Sequence, residues 1–134
     1  AGAVPGPAAY GRGGSAATVT DADLVLGIID PDYFLGGAMR IDRDAAARAV
    51  AGIAAQLGLS TVEAAYAIHT TCNHTMITAI EDVTINEGIN PRDAWLVAGG
   101  GATAAHVAEM ARVLGVRGFT AGLALRGRAA RSYS

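Results

Sequence analysis

Between Ser60 and Glu87, apolar residues recur every three or four positions, the spacing of one face of an α-helix. At 100° per residue, Val62, Ala65, His69, Cys72, Met76, Ile80 and Val83 share that face, while Glu63, Thr70, His74 and Glu81 lie on another. The pattern predicts a long helix with one packed side and one wet side. Ser60 or Thr61 caps its start, with Glu63 completing a capping box if Ser60 is the cap, and Gly88 and Pro91 stop it. Two shorter helices are expected before it. Thr20 or Asp21 caps one that runs through Leu26 and is interrupted by "GIIDPDYFLGG"; Asp42 caps a second that runs to about Leu57 and ends at Gly58. After the long helix the period changes. "AWLVA" reads as a strand of about five residues, Thr103 to Leu114 as a last helix, and "RGFTAGLAL" as a final strand. Residues 1–16, rich in glycine and proline, read as an irregular loop. This order predicts an α/β domain, helix-rich, with a short parallel strand pair near the C-terminus.

Composition narrows the picture. The 134 residues are enough for one ordinary domain with its own core. Hydrophobic residues make up 51% of the chain and aromatics only 5%, so the buried surfaces are expected to be flat and close-packed. A net charge of −2 gives no global field for nucleic acid or an anionic membrane, and neither is expected as a partner. All ten Lys/Arg positions are arginine, which excludes a lysine Schiff base or a Walker-type phosphate lysine. The single cysteine, Cys72, has no internal partner for a disulfide. No apolar run approaches the roughly 20 residues that span a bilayer, and no charged-then-apolar leader opens the chain. A cytoplasmic protein is the expectation.

The stretch with most to say about chemistry is "AWLVAGGGATAAHVAEMARVLGV", residues 94–116. A strand passing through three glycines into a helix brings bare backbone N–H groups and a helix N-terminus to one place, which favours a phosphate or another anion. Gly99, Gly101 and Ala104 also satisfy the G-x-G-x-x-A form of the dinucleotide fingerprint. That fingerprint needs an acidic residue about 20 positions on, and no Asp or Glu follows Glu109. The Rossmann reading fails on that ground. A nucleotide-binding turn and a tight turn that merely lets a helix pack close to a strand both remain open.

Other residues invite chemistry with less support. His69, Cys72 and His74 could suggest a metal, but His74 points about 140° away from His69 on a helix, so a hydrogen-bonded His69 on a packed face is the simpler expectation. Asp30 and Asp32 could pair around a cation, although Asp-Pro-Asp is also an ordinary turn sequence. Arg12 could meet a phosphate as a fork. The arginine-rich end, with three arginines between 126 and 131, reads as a solvated tail.

"PGPAAYGRGGSAATVTDADLVLGIIDPDYFLGG", followed by a helix and then "NHTMITAIEDVTINEGINPRDAWLVAGGGATAAHVAEMARVLGV", resembles the hydantoinase A/oxoprolinase family over roughly residues 5–118. That family includes ATP-dependent hydantoinase and 5-oxoprolinase subunits and the beta-type subunits of acetone and acetophenone carboxylases. "NEGINPRDAWLVAGGG" looks more like the ketone-carboxylase branch. The resemblance implies an actin-like ATPase lobe of ribonuclease H-like architecture, with ATP and Mg as cofactors. It also implies a small-molecule substrate and a hydantoinase B-type partner subunit. By the same resemblance, Gly99, Gly100, Gly101, Ala102 and Thr103 form a wall of the nucleotide pocket. Asn73, where the family tends to carry asparagine, would brace that pocket, contact nucleotide, or make an ordinary structural hydrogen bond. Residues 17–118 would form the partial family domain, residues 1–16 its leading loop, and residues 119–134 a divergent tail. Val4 stands where the family usually carries an aspartate before "PGP", and a valine can neither accept a hydrogen bond nor ligate a cation. No acid, base or nucleophile is assigned. A chain that covers only part of one lobe would help orient nucleotide, or would merely contact a partner subunit.

Overall fold

The computed structural model describes residues 2–122, which fall into two compact units, residues 1–72 and 73–134. In the first unit a short 3-10 turn at Ala8–Tyr10 interrupts the leading loop, followed by α1 (Val19–Val25), a second 3-10 turn at Phe34–Gly37, and α2 (Arg43–Leu57). α3 (Thr61–Asn86) begins in the first unit and runs on as one helix into the second. The second unit continues through a 3-10 turn at Pro91–Asp93 to β1 (Trp95–Gly99), α4 (Gly101–Ala104), α5 (Val107–Leu114) and β2 (Gly118–Gly122).

The first three expected helices form, and the ends of α2 and α3 follow the expected signals. Asp42 caps α2 by accepting from the Ala45 N–H, and Gly58 closes it with a left-handed φ of 67°. At α3 the Ser60 N–H donates to Glu63 and the Glu63 N–H donates to the Ser60 hydroxyl, the reciprocal box that Ser60 makes possible. At α1 the expected cap is corrected. The cap is Thr18, and Asp21 is the acid of its capping box, three residues on. Asp21 can serve there because its buried carboxylate also accepts from the Ala8 and Ala9 N–H groups, tying the leading loop to the helix. A Cβ on Gly14 would run into the Gly6 carbonyl, so that loop folds back closely on itself.

Small side chains build the first unit's core. Ala22, Val50, Ala54, Ala64 and Ala65 form one cluster; Ala9, Leu24, Ile41 and Ala46 form another. In the second unit Ile77, Ala98, Val107, Met110 and Leu114 make a separate core. The buried stripe of α3 is rotated from the expected one. Ala65, His69, Met76 and Ile80 belong to it, but Val62 and Val83 are exposed, and Ala64, Ile68, Asn73 and Ile77 take part instead. Apolar residues on both edges of the helix allow either phase, and the neighbouring elements choose between them.

β1 and β2 pair in parallel, with Trp95 opposite Gly118 and Gly99 opposite Gly122. Ala98 packs inward, whereas Trp95 and Val97 stand outward and exposed. A Cβ on Gly118 would meet the Trp95 ring at 2.6 Å, so the indole lies across the neighbouring strand where that glycine leaves room. The expected last helix is corrected: it is two helices, broken at Ala105 and His106. There the N–H groups bond to carbonyls three residues back before α5 starts from the His106 carbonyl. Nothing in "TAAHVAEM" breaks a helix by propensity. Among the described residues, no single helix is long and apolar enough to cross a membrane. Of the expected tail, residues 119–122 belong to β2; the arginine-rich remainder lies outside the described residues.

Candidate functional site

The glycine turn of the second unit leaves the end of β1 and enters α4. Gly100 adopts φ 91° and ψ 163°, a backbone that a side chain would strain. Gly99 and Gly101 carry no such requirement, and a Cβ built on Gly99, Gly100 or Gly101 meets no described heavy atom within 4 Å. Close packing of helix on strand is therefore not what keeps side chains away from positions 99 and 101. Among the described residues, the space a Cβ would take at each of these positions is open. The Thr103 hydroxyl donates to the Gly99 carbonyl at 2.9 Å and closes the turn. Gly99, Gly100, Gly101 and Ala102 are exposed and Thr103 is half-buried. The expected contribution of a helix N-terminus is corrected by geometry: α4 has only four residues, too few aligned peptides to sum to a substantial dipole. What the turn offers a ligand is bare, approachable backbone.

Asn73 lies on α3 and is 1% exposed. Its Nδ2 donates to Glu109 Oε2 at 2.6 Å, and its Oδ1 lies 2.8 Å from His106 Nδ1. A carboxylate only accepts, which orients the amide nitrogen toward Glu109 and the amide oxygen toward His106. The His106 proton therefore sits on Nδ1. His106 is itself buried and occupies the break between α4 and α5. Asn73 thus reaches the chain just beyond the turn, at the cap residue of α5 and at its third residue. Sequence reasoning gave no role to His106 or Glu109. Their three-residue spacing, one helical turn, is the signal that puts them side by side.

The other candidates separate. His69 is buried against Asp23, with Nδ1 2.6 Å from Oδ1, whereas His74 is exposed, so the two histidines do not share a surface. Asp23 was missed because nothing in "TDADLV" tells a buried acid from a solvated one. Burial pushes the half-buried Cys72 thiol above its usual value, and the Asp23 carboxylate adds to the rise. That thiol is a poor nucleophile near neutral pH. Asp30 accepts from the Asp32 N–H at 2.9 Å, an Asx turn, and Asp32 lies 3.7 Å from the exposed Arg40. Arg12 is exposed. A shallow cleft of about 260 Å³ in the first unit, lined by Ala8, Gly14, Ser15, Ala45, Arg48 and Ala49, contains none of the expected site residues.

A family model described as hydantoinase/oxoprolinase matches residues 1–124. The chain belongs to the hydantoinase/oxoprolinase family. It is 45% identical over 116 residues to the caprolactamase subunit alpha of Pseudomonas jessenii, covering 86% of this chain and 17% of that one. It is 43% identical over 111 residues to the acetophenone carboxylase gamma subunit of Aromatoleum aromaticum, covering 82% and 15%. A crystal structure of the ATP-dependent caprolactamase from Pseudomonas jessenii matches the fold with a TM-score of 0.81 at 43% identity, over 90% of this chain and 18% of that one. The chain spans less than a fifth of the length of these hydantoinase/oxoprolinase relatives. A caprolactamase and a carboxylase match it almost equally well, so identity does not separate the family's branches.

Proposed function

We propose that this chain forms part of one lobe of an actin-like, ATP-dependent enzyme of the hydantoinase/oxoprolinase family, and that Gly99, Gly100, Gly101, Ala102 and Thr103 are a wall of its nucleotide pocket, with Asn73 standing behind it. The observation that carries this reading is that, among the described residues, nothing lies where a Cβ would stand on three consecutive glycines, two of which neither packing nor backbone angle requires to be glycine. Bare backbone of that kind fits a ligand that must approach closely, as adenosine and its phosphates do. The family and an ATP-dependent neighbour in fold supply the ligand class.

In the intact enzyme, ATP bound with magnesium supplies a phosphoryl group that activates a carbonyl or enolate oxygen of a small substrate, ahead of cyclic amide hydrolysis or ketone carboxylation. This chain's part is to hold and orient the nucleotide through the 99–103 backbone. No residue of the chain is assigned to the metal or to acid–base chemistry. Relatives named as subunits support a partner subunit; its assignment to the hydantoinase B type rests on the family resemblance alone.

The test is calorimetric titration of the chain with Mg-ATP beside two variants. Gly101→Ala adds a methyl group at a helical position where no described atom lies within 4 Å, so thermal stability is expected to hold or rise by about 0.4–1 kcal/mol. Its affinity for Mg-ATP is expected to fall about tenfold or more, because the methyl occupies the ligand's approach. Gly100→Val is expected to abolish binding. Undiminished binding by a folded Gly101→Ala chain would falsify the glycine wall. Absence of binding by the folded parent chain would instead favour a domain that only contacts a partner subunit.

A further inference from the structure

We infer that Asn73 is a positioning residue for the glycine turn, acting as a two-ended amide clamp whose donor end holds Glu109 and whose acceptor end holds His106; for the ligand involved, this rests on the nucleotide reading above. Three observations carry it. First, the helix after the turn breaks at Ala105–His106 although the local sequence has no breaker, so a tertiary contact must hold the break. Second, His106, at that break, is 5% exposed and meets Asn73 Oδ1 at 2.8 Å. Third, Glu109, one turn into α5, takes the other end of the same amide at 2.6 Å.

The clamp therefore fixes the start of α5 at two points from a single rigid plane. α5 is seated by its own buried stripe of Val107, Met110, Ala111 and Leu114. With both the seat and the start fixed, the four residues of α4 and the turn ahead of them have one direction in which to leave β1. Without the clamp, the alanine-rich segment is free to continue as one helix from residue 101, which would rotate Gly99–Thr103 away from their present orientation. Only an asparagine-like group supplies a donor and an acceptor in this order. A carboxylate at 73 would face the carboxylate of Glu109, while an amide at both 73 and 109 keeps a donor–acceptor pair by turning over the new one.

The test is a polarity exchange in the full 134-residue chain, with Asn73→Asp, Glu109→Gln and the double variant compared by amide NMR of Gly99–Thr103 and by Mg-ATP titration. Asn73→Asp sets two carboxylates within hydrogen-bond distance in a buried site, and is expected to shift or broaden the 99–103 amides and to weaken Mg-ATP binding at least about tenfold. Glu109→Gln alone is expected to stay within about threefold of the parent. The double variant restores the order, since the amide introduced at 109 donates to the carboxylate introduced at 73, which still accepts from His106 Nδ1. It is expected to return both the amide shifts and the affinity to within about threefold of the parent. Parent-like 99–103 amides in folded Asn73→Asp, or a double variant that is no better than Asn73→Asp in fold or amide shifts, would overturn the clamp. The amide shifts read the turn without nucleotide, so a parent chain that fails to bind Mg-ATP defeats the nucleotide reading while the clamp is still judged by NMR.

Discussion

Asp21 shows how much a single side chain can organise in a chain with few large residues. One of its carboxylate oxygens accepts from the Ala8 N–H at 3.2 Å and from the Thr18 N–H and hydroxyl at 2.8 Å; the other accepts from the Ala9 N–H at 2.8 Å. All the donors point at oxygens that never donate. Asp21→Asn keeps the shape but turns one oxygen into a donor, so at least one buried N–H loses its acceptor. The variant is expected to lose about 2–4 kcal/mol in a urea titration, and the leading loop around Ala8–Ala9 is expected to exchange its amides first. Glycines divide at the same scale. Gly118 is held small by the Trp95 ring, Gly100 by its own backbone angle, and Gly99 and Gly101 by neither. That division, invisible in "GGG", is what the proposed nucleotide role of the turn rests on.

At the scale of elements, the start of α3 carries a pH dependence with a definite sign. The Ser60 hydroxyl and backbone N–H hold the Glu63 carboxyl below its usual range. The unfolded chain, with an ordinary carboxyl, therefore binds its proton more readily than the folded one. The box contributes fully above the ordinary carboxyl range, and its contribution is lost as pH falls through that range toward the lowered folded value. Amide exchange at residues 60–64 is expected to slow as pH is raised through the carboxyl range, after correction for intrinsic rates. Glu63→Gln is expected to remove that dependence while keeping the helix. The capping signals for α2 and α3 were legible in sequence because Asp42, Ser60 and Glu63 act on their own first turns. The cap of α1 was not, because Thr18 and Asp21 form their box only together with the loop that Asp21 also holds. The break between α4 and α5 was hidden for a related reason: its partner, Asn73, lies 33 residues before His106.

At the scale of the whole molecule, two sets of core residues with no member in common sit in two units. Val50 is fully buried in the first and Met110 nearly so in the second. Val50→Ala is expected to cost about 1–3 kcal/mol and Met110→Ala about 2–4 kcal/mol. The double variant should equal their sum within about 0.5 kcal/mol in chemical denaturation, since the two residues belong to separate core clusters. A deviation well above that would count against two separate cores. The exposed Trp95 and Val97 belong to this scale as well. A parallel pair normally has both faces covered, and here one face carries its apolar residues outward.

The sequence alone determined the elements and their order, because helix period, caps and glycine stops act over three or four residues: α2, α3 and both strands lie where those signals put them. Motif order over most of the chain likewise determined the family. The tertiary structure decided which of two apolar edges α3 buries, where the last helix breaks, that Asn73 faces His106 and Glu109, and that no described atom crowds the Cβ positions of Gly99 and Gly101. The first three of these depend on residues tens of positions apart meeting in one place, and an amide, an acid and an imidazole reveal their pairing only when packing brings them within hydrogen-bond reach.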